Sequence, residues 1–306
     1  MLLRRAPRTS LRLATLACLA VAFAAGSARA ETLVKFSAHY IISMTHVTVG
    51  EITWSTNFSN GTYLASATGK ASGVLSVLVK GEGSLTTRGT FADGKLVPAD
   101  ARFDVSDEDG VYETEMIFDN GVYKRVVDRG TAPPADRIPV DPKLLRDVVD
   151  PLTAFLIPYA GKTLAPQDCA KTLKIFDGRR RYDLVLSYKR SETIEIIRGY
   201  TGPAVVCAVV LHPLGGYRPD SLLVRYLAGK NDLELWLAPV AGVSVLAPVR
   251  ALMPTLVGTM DIGADEFVEH KSTPSTVAPA KPVEAAPLAP AKAAPVEAAP
   301  LAPAKP

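Results

Sequence analysis

Glu51-Ile52-Thr53-Trp54-Ser55-Thr56-Asn57-Phe58-Ser59-Asn60-Gly61 decides the fold class of this chain. Ile52, Trp54, Thr56 and Phe58 alternate with Glu51, Thr53, Ser55 and Asn57, and a period of two puts the two sets on opposite faces of a strand. The Asn60-Gly61 pair that follows accepts the positive φ angles of a tight hairpin turn. Both signals recur along the chain. Tyr112, Thr114, Met116 and Phe118 share one face, as do Tyr182, Leu184, Leu186 and Tyr188, and then Leu233, Leu235 and Leu237. Asp93-Gly94, Asp109-Gly110, Asn120-Gly121 and Asp177-Gly178 stand between such runs as further hairpin turns. The expected fold is therefore mainly β, a long antiparallel meander. A sheet of that length curls, and one or two short helices covering its concave apolar face are the usual solution.

Two segments break the β pattern. Asp150-Pro151-Leu152-Thr153-Ala154-Phe155-Leu156-Ile157 offers a capping side chain and then proline at the first helical position, with Leu152, Phe155 and Leu156 on one face. Ala71 to Lys80, with Val74, Leu75, Val77 and Leu78, reads as a shorter helix or a strand crossing.

The termini read differently from the middle. Residues 1–30 have the three parts of a secretory leader: Arg4, Arg5, Arg8 and Arg12, an apolar run from Leu13 to Ala25, and Ala28-Arg29-Ala30 as a cleavage site. The apolar run is too short for a stable bilayer span, and no transmembrane segment is expected in the mature chain. Residues 31–270 form the expected β-rich periplasmic domain. Residues 271–306 are a low-complexity tail in which Pro-Val-Glu-Ala-Ala-Pro-Leu-Ala-Pro-Ala-Lys occurs at 282–292 and again at 295–305, a composition expected to stay disordered and extended. Removing Arg4, Arg5, Arg8, Arg12 and Arg29 with the leader turns the formal charge of +3 into −2. A chain near neutrality has no electrostatic footprint for nucleic acid, and charge alone does not draw it to anionic membranes.

Of three cysteines, Cys18 lies in the leader, which leaves Cys169 and Cys207. In an oxidising compartment such a pair is most simply a disulfide, and its wide spacing is unlike C-x-x-C. With only His39, His46, His212 and His270 to supplement it, the pair does not make a zinc site.

Catalytic signals are missing: the chain has no G-x-S-x-G elbow, H-E-x-x-H, Walker loop or dinucleotide fingerprint. No enzyme activity, metal or cofactor is expected. Asp104, Asp107, Glu108 and Asp109 read as a solvated hairpin tip. Arg179-Arg180-Arg181 is the densest basic feature of the mature domain, and strand geometry points Arg179 and Arg181 one way and Arg180 the other. Arg179 and Arg181 serve either as a soluble strand edge, with Asp177 and Asp183 near enough to pair, or as a clamp for an anionic head group.

Asp150-Pro151-Leu152-Thr153-Ala154, the Cys169 segment leading to Phe176-Asp177-Gly178-Arg179-Arg180-Arg181-Tyr182, and Leu235-Trp236-Leu237-Ala238-Pro239 before Pro254-Thr255-Leu256-Val257-Gly258-Thr259 resemble the periplasmic proteins of DUF family 3108. The resemblance spans most of Thr32 to Val268. It implies a curved, incompletely closed antiparallel barrel, similar in kind to lipoprotein-carrier and envelope-integrity β-spiral folds, and brings no catalytic residues. A half-open barrel of this kind suits a lipid, lipoprotein anchor or apolar peptide. Tyr112, Met116, Phe118, Tyr182, Leu184 and Leu186 are candidate lining residues, with Phe155 on a plugging helix. The alternative is an envelope scaffold that binds another protein and has a filled interior.

Overall fold

The computed structural model describes residues 33–72, 81–92, 94–107, 110–160, 163–228, 230 and 232–272. Residues 1–32, which include the segment read as a leader, the 73–80 part of the Ala71–Lys80 segment, Asp93, Glu108 and Asp109 of the expected turns, and residues from 273 on lie outside the described residues. The first half is an unbroken meander: β1 (Leu33–Met44), β2 (Val47–Ser59), β3 (Thr62–Ala71), β4 (Glu82–Ala92), β5 (Lys95–Asp107), β6 (Gly110–Asp119) and β7 (Val122–Gly130). After α1 (Pro151–Phe155) come β8 (Ile157–Pro158), β9 (Lys171–Phe176), β10 (Arg181–Glu195), β11 (Arg198–Gly199) and β12 (Thr201–Gly215). Helix α2 (Leu222–Ala228) then leads to β13 (Leu233–Val240), β14 (Val245–Thr255) and β15 (Gly258–Ser272). Among the described residues these strands make one 15-stranded sheet, ordered β7-β6-β5-β4-β3-β2-β1-β15-β14-β13-β12-β10-β9. It is antiparallel along this order, with short β8 added to β14 and β11 lying parallel to β15. Backbone pairing leaves β7 and β9 as the two ends, so the barrel is not closed by its ladder.

On β2 and β6 the alternation read from the sequence is the alternation of burial, whereas on β10 Tyr188 is exposed and on β13 Leu235, Trp236, Leu237 and Ala238 are buried in succession. Trp54, Thr56 and Phe58 are buried on β2, and Tyr112, Thr114, Met116 and Phe118 on β6, while Val111 stays exposed. Asn60-Gly61 and Asn120-Gly121 take positive φ at the β2–β3 and β6–β7 turns. Phe36 organises the main core, meeting Trp54 edge-on at 5.8 Å and Phe267 at 4.8 Å between ring centroids.

Helix α1 is five residues long, too short to persist alone. Leu152 and Leu156 pack into the main core, and buried Asp150 caps the first turn. Asp150 Oδ1 accepts the Thr153 amide at 3.0 Å, and Oδ2 accepts the Thr87 hydroxyl at 3.0 Å and the Thr153 hydroxyl at 2.5 Å. Tyr63 shares a 2.7 Å hydrogen bond with Thr153, so the cap ties α1 to β3 and β4. Burial pushes the Asp150 carboxyl above the usual carboxylate range, although the Thr153 and Thr87 bonds oppose it.

Side chains complete what the ladder leaves open. The turn between β9 and β10 presses against β6 and β7, and Gly178 is required there: its φ is +92° and a Cβ would lie 2.2 Å from Thr114. Arg179 forks onto Asp128 of β7 with two bonds of 2.9 Å, donates to the Thr131 carbonyl at 2.7 Å, and stands 3.4 Å over the Tyr112 ring. Phe176 meets Tyr123 edge-on at 5.3 Å, and Val149 pairs with the outer edge of β9 through bonds of 3.0 Å to Lys174 and Phe176. The two ends of the sheet are thereby joined.

Arg179→Ala is expected to cost about 3 kcal/mol, near the low end for a broken buried pair because Asp128 keeps some contact with water. Arg179→Lys should recover little of it, since an ammonium cannot fork; urea unfolding midpoints measure both. For Asp150 the folded-state pKa is raised, so its carboxyl favours folding below the unfolded value and ceases to as pH rises through the folded one. Asp150→Asn keeps the capping oxygen without the charge. Relative to wild type, its stability should improve as pH rises from the acidic range to neutrality, whereas Asp150→Ala should lose about 1 kcal/mol of cap.

Candidate functional site

The length of one strand creates the site. β13 begins at Leu233, level with Val209 on β12, and its next residue Glu234 pairs with Leu252 on β14. β12 runs on to Gly215 and β14 to Thr255, so two long strands pass beyond a short one. The intervening chain carries α2, which covers the gap, and a cavity of about 750 Å³ opens there. Leu184 of β10, Val209 and Leu211 of β12, Leu233 and Leu235 of β13, and Ala251 and Met253 of β14 supply apolar wall. Ile262 of β15, Phe155 of α1, and Leu223, Val224 and Leu227 of α2 complete it.

The polar part of the lining is Arg137, Arg180, Arg218, Tyr182, Tyr217, Asp136, Asp220 and Glu234. Burial, reinforced by the Asp177 carboxylate, pushes the phenols of Tyr182 and Tyr217 above their ordinary range, so both remain neutral hydrogen-bonding groups. Burial works against the charge of Arg180, but Asp177 at 3.6 Å and Tyr112 hold its pKa above the ordinary value. Arg137 donates to the Gly216 carbonyl at 2.9 Å, Arg218 lies 3.7 Å from Asp136, and Glu234 pairs with Lys189 and, at 2.8 Å, with Arg190. Apolar walls that include groups of both charge signs can take up an aliphatic chain and hydrogen-bond its polar end.

The structure separates the residues singled out from the sequence. Phe155, Tyr182 and Leu184 line the cavity. Met116 and Phe118 are packed with Ala101, Phe103, Val148 and Phe176, Tyr112 lies under Arg179, and Leu186 sits in the cluster around Cys169 and Cys207. Arg179 and Arg181 are engaged within the fold and do not line the cavity. Arg181 donates to the Leu144 carbonyl at 2.8 Å, the Tyr182 carbonyl at 2.6 Å and Asp183 at 2.5 Å. Arg180, in the turn just before β10, is the one of the three that lines the cavity. Leu211, Met253 and the wall from α2 were not singled out, although Leu223, Val224 and Leu227 fall at helical spacing. His39 is 2.6 Å from Asp265 and 3.8 Å from Glu51, and His212 pairs across the strands with Asp183; neither lines the cavity. Among the described residues no group of His, Cys, Asp and Glu is arranged to hold a metal ion.

Cys169 and Cys207 form a disulfide across a sequence separation of 38. Cys169 ends the short turn Pro166–Cys169 before β9, and Cys207 lies in β12, so the bond passes over β10 and staples the strands that carry one wall of the cavity. Both sulfurs are buried with Ile157, Leu186, Val205, Val209, Leu235, Leu237 and Leu246. Reduction, or Cys169→Ala with Cys207→Ala, is expected to lower stability by about 3 to 4 kcal/mol on the chain-entropy model. Calorimetry with and without reductant checks this, alongside the mass increase of two hydrogens on reduction.

Fold and site define a mainly β, barrel-like protein whose single sheet is not closed by backbone pairing and whose second half carries an apolar cavity. The chain belongs to the family described as "Protein of unknown function (DUF3108)", whose model matches residues 35–264. A similar solved structure is the beta-barrel-like protein of domain of unknown function DUF1849 from Brucella abortus. It is 12% identical, with a TM-score of 0.43, and the match covers 78% of this chain and 98% of that one. No curated protein sequence matches the chain. Among the described residues no helix is long and apolar enough to cross a membrane, which leaves crossing by strands unaddressed.

Proposed function

We propose that this is a non-enzymatic periplasmic protein of the cell envelope that binds the acyl chain of a lipid or lipoprotein anchor in the cavity beside α2. The observation that carries the reading is the cavity itself. Its volume of about 750 Å³ lies in the range of small-molecule sites, its walls come from five strands and two helices, and apolar side chains make up most of its lining. Each methylene taken from water into such walls contributes about 0.8 kcal/mol, before the cost of ordering the chain. Periplasmic residence is supported by the leader at residues 1–30 and by the disulfide, a bond that persists in oxidising compartments. The short gap beside β13 favours an aliphatic chain over an extended peptide, which would need a run of free backbone partners along a strand edge.

Native mass spectrometry of the gently purified mature protein should show a bound acyl species, and dodecanoate should displace an apolar dye from the cavity. Leu211→Arg, which puts a charge on the wall, should weaken dodecanoate binding at least tenfold while circular dichroism stays that of a β fold. A chain consistently free of lipid, with no displacement, would remove this reading in favour of an envelope scaffold with a filled interior.

A further inference from the structure

The end of the barrel nearest the cavity carries a second feature. Met253 lines the cavity and pairs with Met260, which pairs in turn with Met44 of β1. This register sets two hairpin tips side by side just beyond the cavity, Leu256-Val257 between β14 and β15 and Thr45-His46 between β1 and β2, and the Thr45 amide reaches the Thr259 carbonyl at 3.5 Å. Leu256 is 56% and Val257 74% exposed. Leu222 of α2, next to the cavity wall residue Leu223, is 63% exposed.

Composition sets these tips apart. Neither residues 41–50 nor residues 251–260 contain an Asp, Glu, Lys or Arg, whereas the β6–β7 tip at the opposite strand ends has Asp119 and Lys124 in an ion pair. Turn chemistry differs as well. The β2–β3 and β6–β7 turns use Asn-Gly, but Thr45 and His46 are held at φ of 48° and 70° without a glycine. A β-branched residue there is a backbone outlier, and such strain concentrates at functional surfaces. Helix α2, whose Leu223, Val224 and Leu227 line the cavity, carries Arg225 and Tyr226, the latter with Lys230 4.8 Å over its ring, residue types that occupy a headgroup region.

We infer that this end of the barrel docks on a lipid bilayer surface, the Leu256-Val257 tip and Leu222 entering the headgroup boundary so that the cavity mouth faces the acyl chains it loads. The inference rests on the acyl-binding reading of the cavity. It also follows from a physical need: an acyl chain crossing open water exposes all its apolar area, whereas transfer from a bilayer to an apposed apolar cavity does not. Because the tips carry no formal charge, docking depends on apolar insertion and not on anionic lipid.

Co-flotation of the mature protein with phosphatidylcholine vesicles tests this. Wild type should float with vesicles and continue to do so in high salt. L256D/V257D should bind at least tenfold more weakly, and V122D, an equally exposed apolar residue at the opposite strand ends, should bind as wild type does. Urea midpoints of both variants should match wild type, as the changed side chains are exposed. A wild-type chain that does not float, or a double variant that floats as well as wild type, overturns the inference. Dodecanoate binding measured without vesicles separates the two readings. Tip-dependent flotation without dodecanoate binding sinks the cavity reading and leaves the docking surface standing, and the reverse result sinks the docking surface alone.

Discussion

Arg179 carries a constraint that the rest of the fold depends on. An antiparallel sheet this long has two end strands whose unpaired amides and carbonyls invite association with other chains. Closing the ring by a further ladder is prevented here because β9 is short and the β9–β10 turn, not a strand, arrives at β6 and β7. A guanidinium can do what a ladder cannot, since its planar fork meets the Asp128 carboxylate with two bonds while a further donor reaches the Thr131 carbonyl. Tyr112 beneath it excludes water, and low local dielectric strengthens every one of those bonds.

With the ends held, the interior becomes a place where a short helix can be stable. The Asp150 cap reaches Thr87 on β4 and, through Thr153, Tyr63 on β3, so the polar start of α1 is satisfied deep inside an apolar shell. Runs of β12, β13 and β14 are then buried on both faces. Ala204, Val206, Trp236 and Ala238 join the main core, whereas Val205, Cys207, Leu235 and Leu237 form the cluster around the disulfide. A strand covered on both sides cannot adjust its register cheaply. The gap left where β13 starts late is therefore rigidly framed, and this makes a cavity instead of a collapsed seam.

The proposed chemistry follows from that frame. The cavity walls end near two uncharged hairpin tips, so one apolar surface runs from Leu235 through Met253 toward Leu256. Arg180 and Tyr182, just before and at the start of β10, also line the cavity, and Asp177 holds the pKa of Arg180 above its ordinary value. An amphiphile would meet apolar walls with hydrogen-bonding groups among them.

Much of the fold was legible along the chain. Period-two runs such as Trp54-Thr56-Phe58, turns such as Asn60-Gly61 and the Asp150-Pro151 helix start all rest on local chemistry, which covalent geometry and solvent impose on any chain containing them, whereas the curved, unclosed barrel came from the family resemblance. The disulfide pairing was legible too, because Cys18 falls in the segment read as a leader and only Cys169 and Cys207 remain. What sequence could not allocate was which buried face meets which. Tyr112, Met116 and Leu184 carry the same periodic signal, yet the first lies under a guanidinium, the second is core and the third lines a cavity. Consecutive arginines likewise read alike until the curl of the sheet brought β7 to Arg179, gave Arg181 the backbone carbonyls of Leu144 and Tyr182, and left Arg180 to the cavity. Local periodicity decides which residues turn away from water; only the long-range register of the strands decides what they turn toward, because that depends on contacts between segments far apart in the chain.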